Sequence, residues 1–242
     1  VHFYYLTKYW VKSFLNLTNS NFQGFEGSEL VFDESFKNLE NWNIGMPWGE
    51  YHPAIPWQWY SDVITHSQPQ ILTTEAITKR VGDHLLRYRI QLLYSKQSFP
   101  LEDHIFEFKA KINPAKGIWP ALWLTGKDTW PPEIDLMEFY GSKGKNGRWE
   151  SALHWGTPEK KGHKVYKNFM PHLMDKFHVY SIKTDKKVLS LYFDGELLFK
   201  QKLDPLFFTQ PYNIILNNGV FDPSNVHVPN IFEIEYVRVW KI

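Results

Sequence analysis

The sequence predicts an all-β protein. Three observations carry that prediction. Capped segments with a 3.6-residue apolar period are hard to find, short alternating runs bounded by turn residues dominate, and Asp194-Gly195 joins two such runs as a two-residue hairpin signal. The predicted strands, in order, are His104–Ile112, Ile118–Leu124, Glu133–Phe139, Ser151–Trp155, His178–Thr184, Val188–Phe193, Tyr212–Leu216 and Phe232–Trp240. Asn113-Pro114-Ala115-Lys116-Gly117 supplies the turn between the first two. Asp194-Gly195 turns Val188–Phe193 into a further strand over Glu196–Lys200.

The 242 residues are enough for one large core, and no repeat, linker or low-complexity tract divides them. The reading is one domain over residues 29–242, preceded by an N-terminal arm or linker remnant over residues 1–28, because Asn16–Gly27 is polar and turn-rich. Asn16-Leu17-Thr18 matches a glycosylation sequon and is read as a chance occurrence. With 27 basic and 26 acidic residues the formal charge is +1, which offers no electrostatic case for nucleic acid or an anionic membrane as partner. Without cysteine, disulfides, thiolate metal sites and cysteine nucleophiles are excluded. No apolar run has the length of a transmembrane helix, and the N-terminus lacks signal-peptide architecture. Aromatic residues make up 17% of the chain, with 11 Trp, more than a core alone calls for; Trp and Tyr also line surfaces that stack ring-shaped ligands.

Glu133-Ile134-Asp135-Leu136-Met137-Glu138 places three carboxylates in an otherwise apolar run, shortly after Gly117-Ile118-Trp119-Pro120-Ala121-Leu122-Trp123-Leu124. Acids are rarely buried without a partner or a task. Glu133 and Asp135 are two apart and share a face of a strand. Glu138, five positions from Glu133, falls on the opposite face unless one residue is absorbed. A β-bulge at Leu136-Met137 does that, and the spacing predicts one there. All three acids then line one side, and their mutual repulsion raises at least one pKa. The bland alternatives are an acidic solvent-facing edge or a structural calcium site.

These six residues resemble the E-x-D-x-x-E signature of glycoside hydrolase family 16, a group that includes laminarinases, mixed-linkage β-glucanases, agarases and carrageenases. The resemblance extends in order from Leu30-Val31-Phe32-Asp33-Glu34-Ser35-Phe36 through Phe106–Lys111 and Gly117–Leu124 to Leu153-His154-Trp155-Gly156. It continues through Phe177–Ile182 and Phe193-Asp194-Gly195 to Tyr236-Val237-Arg238-Val239-Trp240. It implies a β-jelly-roll sandwich of two antiparallel sheets with a concave substrate cleft, and a retaining mechanism. Glu133 would be the nucleophile, Glu138 the acid/base, and Asp135 the residue that tunes both. Retaining enzymes bring their two carboxyl groups to ~5–5.5 Å.

Strand alternation puts Trp119 and Trp123 on one face of Ile118–Leu124, opposite Ile118, Leu122 and Leu124. Trp119 is expected to stack sugar, Trp123 either to stack or to be packed over, and Trp130 to form a subsite wall or simply pack in its loop. His154 and Asn217 resemble cleft residues, with a structural histidine and Asn-Gly turn chemistry as their alternatives. Trp48 lies in Gly45–Pro53, the densest aromatic segment together with Trp57-Gln58-Trp59-Tyr60; only the last three resemble the subsite segment of laminarinases. Lys109 and Thr184-Asp185 depart from residues common in relatives.

The resemblance implies an endo-acting hydrolase of β-1,3- or β-1,3-1,4-glucan. The alternatives are a marine galactan as substrate, with Lys109, Arg148 and His52 as candidate sulfate contacts, and a non-catalytic carbohydrate-binding module on the same fold. No cofactor is expected. Structural calcium, held near Glu235 on the convex face, is the minor alternative. The expected partner is polysaccharide, bound by a monomer that is secreted, periplasmic or at the cell surface.

Overall fold

The computed structural model describes residues 27–141, 148–157, 160–169 and 176–242. Of the arm expected over residues 1–28, and of the sequon within it, only Gly27 and Ser28 fall inside these residues. The described chain forms 17 strands and one 3₁₀ helix (Pro205–Phe208), so the all-β expectation holds. The strands are β1 (Glu29–Glu34), β2 (Trp42–Ile44), β3 (Gln58–Tyr60), β4 (Gln70–Glu75), β5 (Lys79–Val81), β6 (His84–Leu86) and β7 (Tyr88–Phe99). They continue with β8 (His104–Ile112), β9 (Ile118–Gly126), β10 (Glu133–Phe139), β11 (Arg148–Gly156) and β12 (Lys161–Phe169). The last five are β13 (His178–Asp185), β14 (Val188–Phe193), β15 (Glu196–Lys202), β16 (Tyr212–Val220) and β17 (Asn230–Lys241).

Fifteen strands form one curled sheet folded into two layers, and β5–β6 stand apart as a hairpin. The cleft layer runs β12-β11-β10-β9-β16-β7, with β2 also on β7. The outer layer runs β4-β17-β8-β13-β14-β15, with β1 on the C-terminal half of β17. β7 belongs to both layers: Arg89 and Ile90 pair with β4, whereas Gln91 to Phe99 pair with β16. All pairings are antiparallel except β3 with β7.

Between the layers lies one continuous core, in which Phe106, Phe108, Ile134, Leu136, Trp149, Phe193, Ile214 and Val237 are almost fully buried. Apolar burial of this kind supplies ~25 cal/mol per Å² of surface withdrawn from water, and each strand contributes through alternate residues. β9 shows the rule: Ile118, Leu122 and Leu124 are in the core, while Trp119 and Trp123 on the other face are half-buried. At the side away from β7 the layers meet through side chains. Tyr166 of β12 stacks on Phe199 of β15 at 3.6 Å and 9°, and Lys164 Nζ and the Tyr166 hydroxyl both donate to Gln201 Oε1 (2.6 and 2.7 Å).

The hairpin at Asp194-Gly195 forms with φ of 48° and 78°, the left-handed conformation a two-residue turn of this type requires. For Asn217-Asn218-Gly219 the turn alternative fails. It lies inside β16 and not in a turn, and the amide nitrogens reach across to neighbouring strands: Asn218 Nδ2 to Leu72 O and Asn230 Oδ1 (both 3.1 Å), Asn217 Nδ2 to Trp119 O (3.2 Å).

Candidate active site

The predicted bulge is present. Against β11, Asp135 pairs with Ala152 and Glu138 with Glu150, so β10 carries one residue more than its partner. Against β9, Asp135 pairs with Trp123 and Met137 with Leu122, which leaves Leu136 as the extra residue. Leu136 and Met137 are both in the core, at no measurable exposure. Two consecutive residues therefore face inward, and Glu138 returns to the face of Glu133 and Asp135. The three acids share one cavity with Trp48, Trp119, Trp123 and Asn217. An adjoining cavity of about 650 Å³ is lined by Trp48, His52, Tyr94, Trp123, Trp130 and Glu133.

Glu138 and Glu133 are held by named donors, and Asp135 stands against a histidine. Glu138 Oε1 accepts from Trp119 Nε1 (3.0 Å) and from the Tyr140 hydroxyl (2.8 Å). Glu133 Oε2 accepts from Trp130 Nε1 (3.0 Å). His154 Nε2 stands 3.3 Å from Asp135 Oδ2 and 3.6 Å from Glu133 Oε1, so it bridges the first two acids. One ligand atom from each of Glu133, Asp135 and His154 falls within 4.8 Å of the others.

Burial is the largest influence on all three carboxyls. It raises Glu133 and Asp135 well above the usual carboxylate range, and it raises Glu138 as well. Repulsion adds to this: Asp135 and Glu138 act on Glu133, Glu138 acts on Asp135, and Glu150 acts on Glu138. The hydrogen bonds oppose it, Tyr140 and Trp119 at Glu138 and Trp130 at Glu133, because each favours the charged form. The trio therefore resists full ionisation, which is what a site needs if one carboxyl is to stay protonated beside another that is charged.

The structure brings Trp48, Trp119, Trp123, Trp130, His154 and Asn217 together around the three acids. Trp119 and Trp130 are more than stacking surfaces, since both indoles hold a carboxylate. Trp123 is fixed by Asn217, whose Oδ1 accepts from Trp123 Nε1 (2.8 Å) and whose Nδ2 donates to Trp119 O (3.2 Å). Trp48 is half-exposed and lines both cavities. Of the three residues in β3, Gln58 and Tyr60 face the cleft, and Gln58 Oε1 accepts from Val220 N (2.7 Å). Trp59 points away, donating to Ile77 O.

Lys109 is a correction. It lies on the outer layer, where its Nζ is 2.9 Å from Glu235, so it is no part of the cleft. The same contact gives Glu235 a cation already, at the place considered for calcium. His52 does line the cleft; the side chain of Arg148 lies outside the described residues. Tyr140 was missed by the sequence reading. It sits two residues after Glu138 and therefore on the same face, a signal that period-two alternation carries.

The profile of glycosyl hydrolases family 16 matches residues 94–219. Glucan endo-1,3-beta-glucosidase A1 of Niallia circulans is 26% identical over 183 residues, covering 64% of this chain and 26% of that protein. Glucan endo-1,3-beta-glucosidase of Cryptopygus antarcticus is 27% identical over 166 residues, covering 56% of this chain and 61% of that protein. The chain thus spans about a quarter and about three fifths of these two relatives. Among solved structures, the catalytic domain of an endo-1,3-beta-glucanase (laminarinase) from Thermotoga petrophila superposes with a TM-score of 0.72 at 23% identity, over 90% of this chain and 99% of that one. That likeness establishes the jelly-roll fold. With the family profile covering half of the sequence, including the bulged strand and its three acids, the chain belongs to glycosyl hydrolases family 16.

Proposed function

We propose that this chain is an endo-acting, retaining hydrolase of β-linked polysaccharide, with β-1,3- or β-1,3-1,4-glucan as substrate. The observation that carries the reading is the bulge in β10, which gathers three mutually perturbed acids at the floor of a tryptophan-lined cleft. Both relatives named above are glucan endo-1,3-beta-glucosidases, which supports the choice of glucan.

The mechanism follows the chemistry of retaining glycosidases. Glu133 attacks the anomeric carbon while the Glu138 carboxyl gives its proton to the departing glycosidic oxygen. The C–O bond breaks and a glycosyl ester forms on Glu133. Water then attacks the same carbon, Glu138 takes the water's proton, and Glu133 leaves as carboxylate. Asp135, through His154 and by its charge, sets the protonation and orientation of its neighbours. Two carboxyls and water complete the cycle, so no metal or organic cofactor enters it. The protein acts as a monomer on polysaccharide outside the cytoplasm.

The test is reducing-end release on laminarin, lichenan and agarose, with ¹H-NMR of the first product anomer and viscometry for endo action. Expected are a β-configured first product, a fast fall in viscosity on a glucan, and loss of both in Glu133→Gln. Cleavage of agarose alone would transfer the reading to a galactan. Binding without cleavage of any glycan would sink it in favour of a binding module.

A further inference from the structure

Trp130 occupies the loop between β9 and β10 and is nearly half exposed, so core packing does not fix its ring. Its Nε1 nevertheless points at Glu133 Oε2, and Lys161 Nζ lies over the ring face, 4.5 Å from the centroid. We propose that Lys161 is a positioning residue for Glu133, acting through the indole of Trp130. The inference rests on the reading of Glu133 as the nucleophile.

The backbone places Lys161 where this requires it. Lys161 opens β12 directly opposite Gly156, the last residue of β11. Gly156 has a φ of +116°, and a β-carbon there would stand 2.1 Å from the Lys160 main-chain oxygen, so only glycine lets this hairpin close. The closed hairpin brings the ammonium over the indole. Among the described residues Lys161 makes no ion pair, in contrast to Lys109 and Lys111 of β8, each of which faces a glutamate of β17. Its charge is therefore available to the ring.

Two effects follow from a cation on an indole face. The attraction pins the ring between β12 and the acid, which keeps Nε1–H in line with Oε2; a hydrogen bond weakens steeply once it bends. The cation also draws density from the ring, which makes Nε1–H a better donor to a charged carboxylate. Both favour ionised Glu133, the form a nucleophile needs, against the burial and repulsion that oppose it. The other groups facing Glu133 are Asp135 and Glu138 on its own strand, His154 on β11 with His163 of β12 behind it, and the cavity residues His52, Lys127 and Asp128. A change at Lys161 leaves all of these in place.

The test uses Lys161→Met, Lys161→Arg, Trp130→Phe and the double variant Lys161→Met/Trp130→Phe in the full chain. Two readouts are taken: kcat and KM on laminarin, and the Glu133 titration followed by ¹³C-NMR of carboxyl-labelled glutamate, assigned with Glu133→Gln. Lys161→Met is expected to lower kcat about 2- to 5-fold at unchanged KM and to move the Glu133 titration to higher pH. Lys161→Arg restores both. Trp130→Phe shifts both further in the same direction, and adding Lys161→Met to it changes nothing more. A raised KM with kcat and titration unmoved would make Lys161 a substrate contact and overturn the proposal. So would an effect of Lys161→Met that persists undiminished in Trp130→Phe. If no polysaccharide is cleaved, the hydrolase reading fails by itself, while the titration still decides the role of Lys161.

Discussion

Two of the places where the described residues bury carboxylates lie on opposite layers and make a contrast. In the cleft layer Glu133, Asp135 and Glu138 crowd together on β10; in the outer layer Glu107 stands on β8 with no measurable exposure. Burial lifts the pKa in both, and for Glu107 it does so to about 7, against smaller opposing contributions from Tyr236 and Arg238. Energetically the two places look alike. They differ in what surrounds them. The trio opens into a cavity and receives donors from Trp119, which lines it, from Trp130, which lines the adjoining one, and from Tyr140. Glu107 lies between β13 and β17, where its Oε1 accepts from the Tyr236 hydroxyl (3.0 Å) and its Oε2 has no partner among the described residues. A perturbed pKa therefore marks a cost of burial, and only the open cavity and the convergent donors turn that cost into a site.

The comparison breaks most visibly at Glu138. Replacing it with Gln should lower kcat about 10²- to 10⁴-fold, measured on whichever glucan proves best. The same change should raise thermal stability at neutral and alkaline pH. The Glu138 pKa is raised in the folded state, so the folded chain binds more protons than the unfolded one. The associated stability is present below the unfolded pKa and is lost as pH rises through the folded one. An amide removes that loss, and differential scanning at pH 4 and pH 8 would expose it as a gain that is larger at the higher pH. An activity loss with no pH-dependent gain would mean that the trio is less strained by burial than its surroundings imply.

Next in size is Tyr140→Phe, which deletes one of two donors to Glu138. A hydrogen bond to a charged group contributes ~1.5–3 kcal/mol, so kcat should fall about 10- to 100-fold. The lost bond favoured the ionised form, and its removal raises the Glu138 pKa further. The alkaline limb of the pH–rate profile, where the acid loses its proton, should move to higher pH. A limb that stays in place would take Tyr140 out of the proton-transfer machinery. Asn217→Ala acts one step further away by releasing Trp123. It should raise KM about 5-fold, the worth of one neutral hydrogen bond, with kcat nearly unchanged.

Glu107→Gln gives the smallest effect on catalysis, none, and isolates burial from function. Its folded pKa also lies above the unfolded one, so its favourable contribution is present below about pH 4.5 and is lost as pH rises through about 7. The variant should match the parent near pH 4 and exceed it at pH 8 by up to roughly 3 kcal/mol. Urea unfolding at the two pH values checks the sign, and an activity change would end the contrast between the layers.

Much of this was legible in the sequence where one side of a strand is core and the other is not. β8, β10 and β14 begin and end where alternation places them. The bulge followed from arithmetic, since five positions cannot keep one face of a regular strand. β7 escaped because it changes layers midway: Leu92 and Leu93 are both buried, one on each side, which breaks the period. β12 escaped because Lys161-Gly162-His163-Lys164 reads as a polar loop; its edge position leaves most of it exposed. For Asn217 and Asn218 the pattern left a turn open as the alternative to a cleft residue, because their amides are local hydrogen-bonders, and in β16 the same amides reach across the sheet instead. The indole bonds to Glu133 and Glu138 belong to tertiary geometry, and no pattern in the chain announces them.

The two sides of the sandwich are closed by different means. On one, the continuous backbone of β7 passes between the layers, and parting them there means breaking a strand. On the other, a Tyr166–Phe199 stack and two bonds to Gln201 do the fastening, and these can open and re-form without any change in the chain's secondary structure. The two layers are therefore joined by backbone on the β7 side and by side chains on the β12 side. Lys161 and His163 ride on the same strand as Tyr166, so the wall beside Glu133 is tied to the outer layer through the fastening that side chains alone supply.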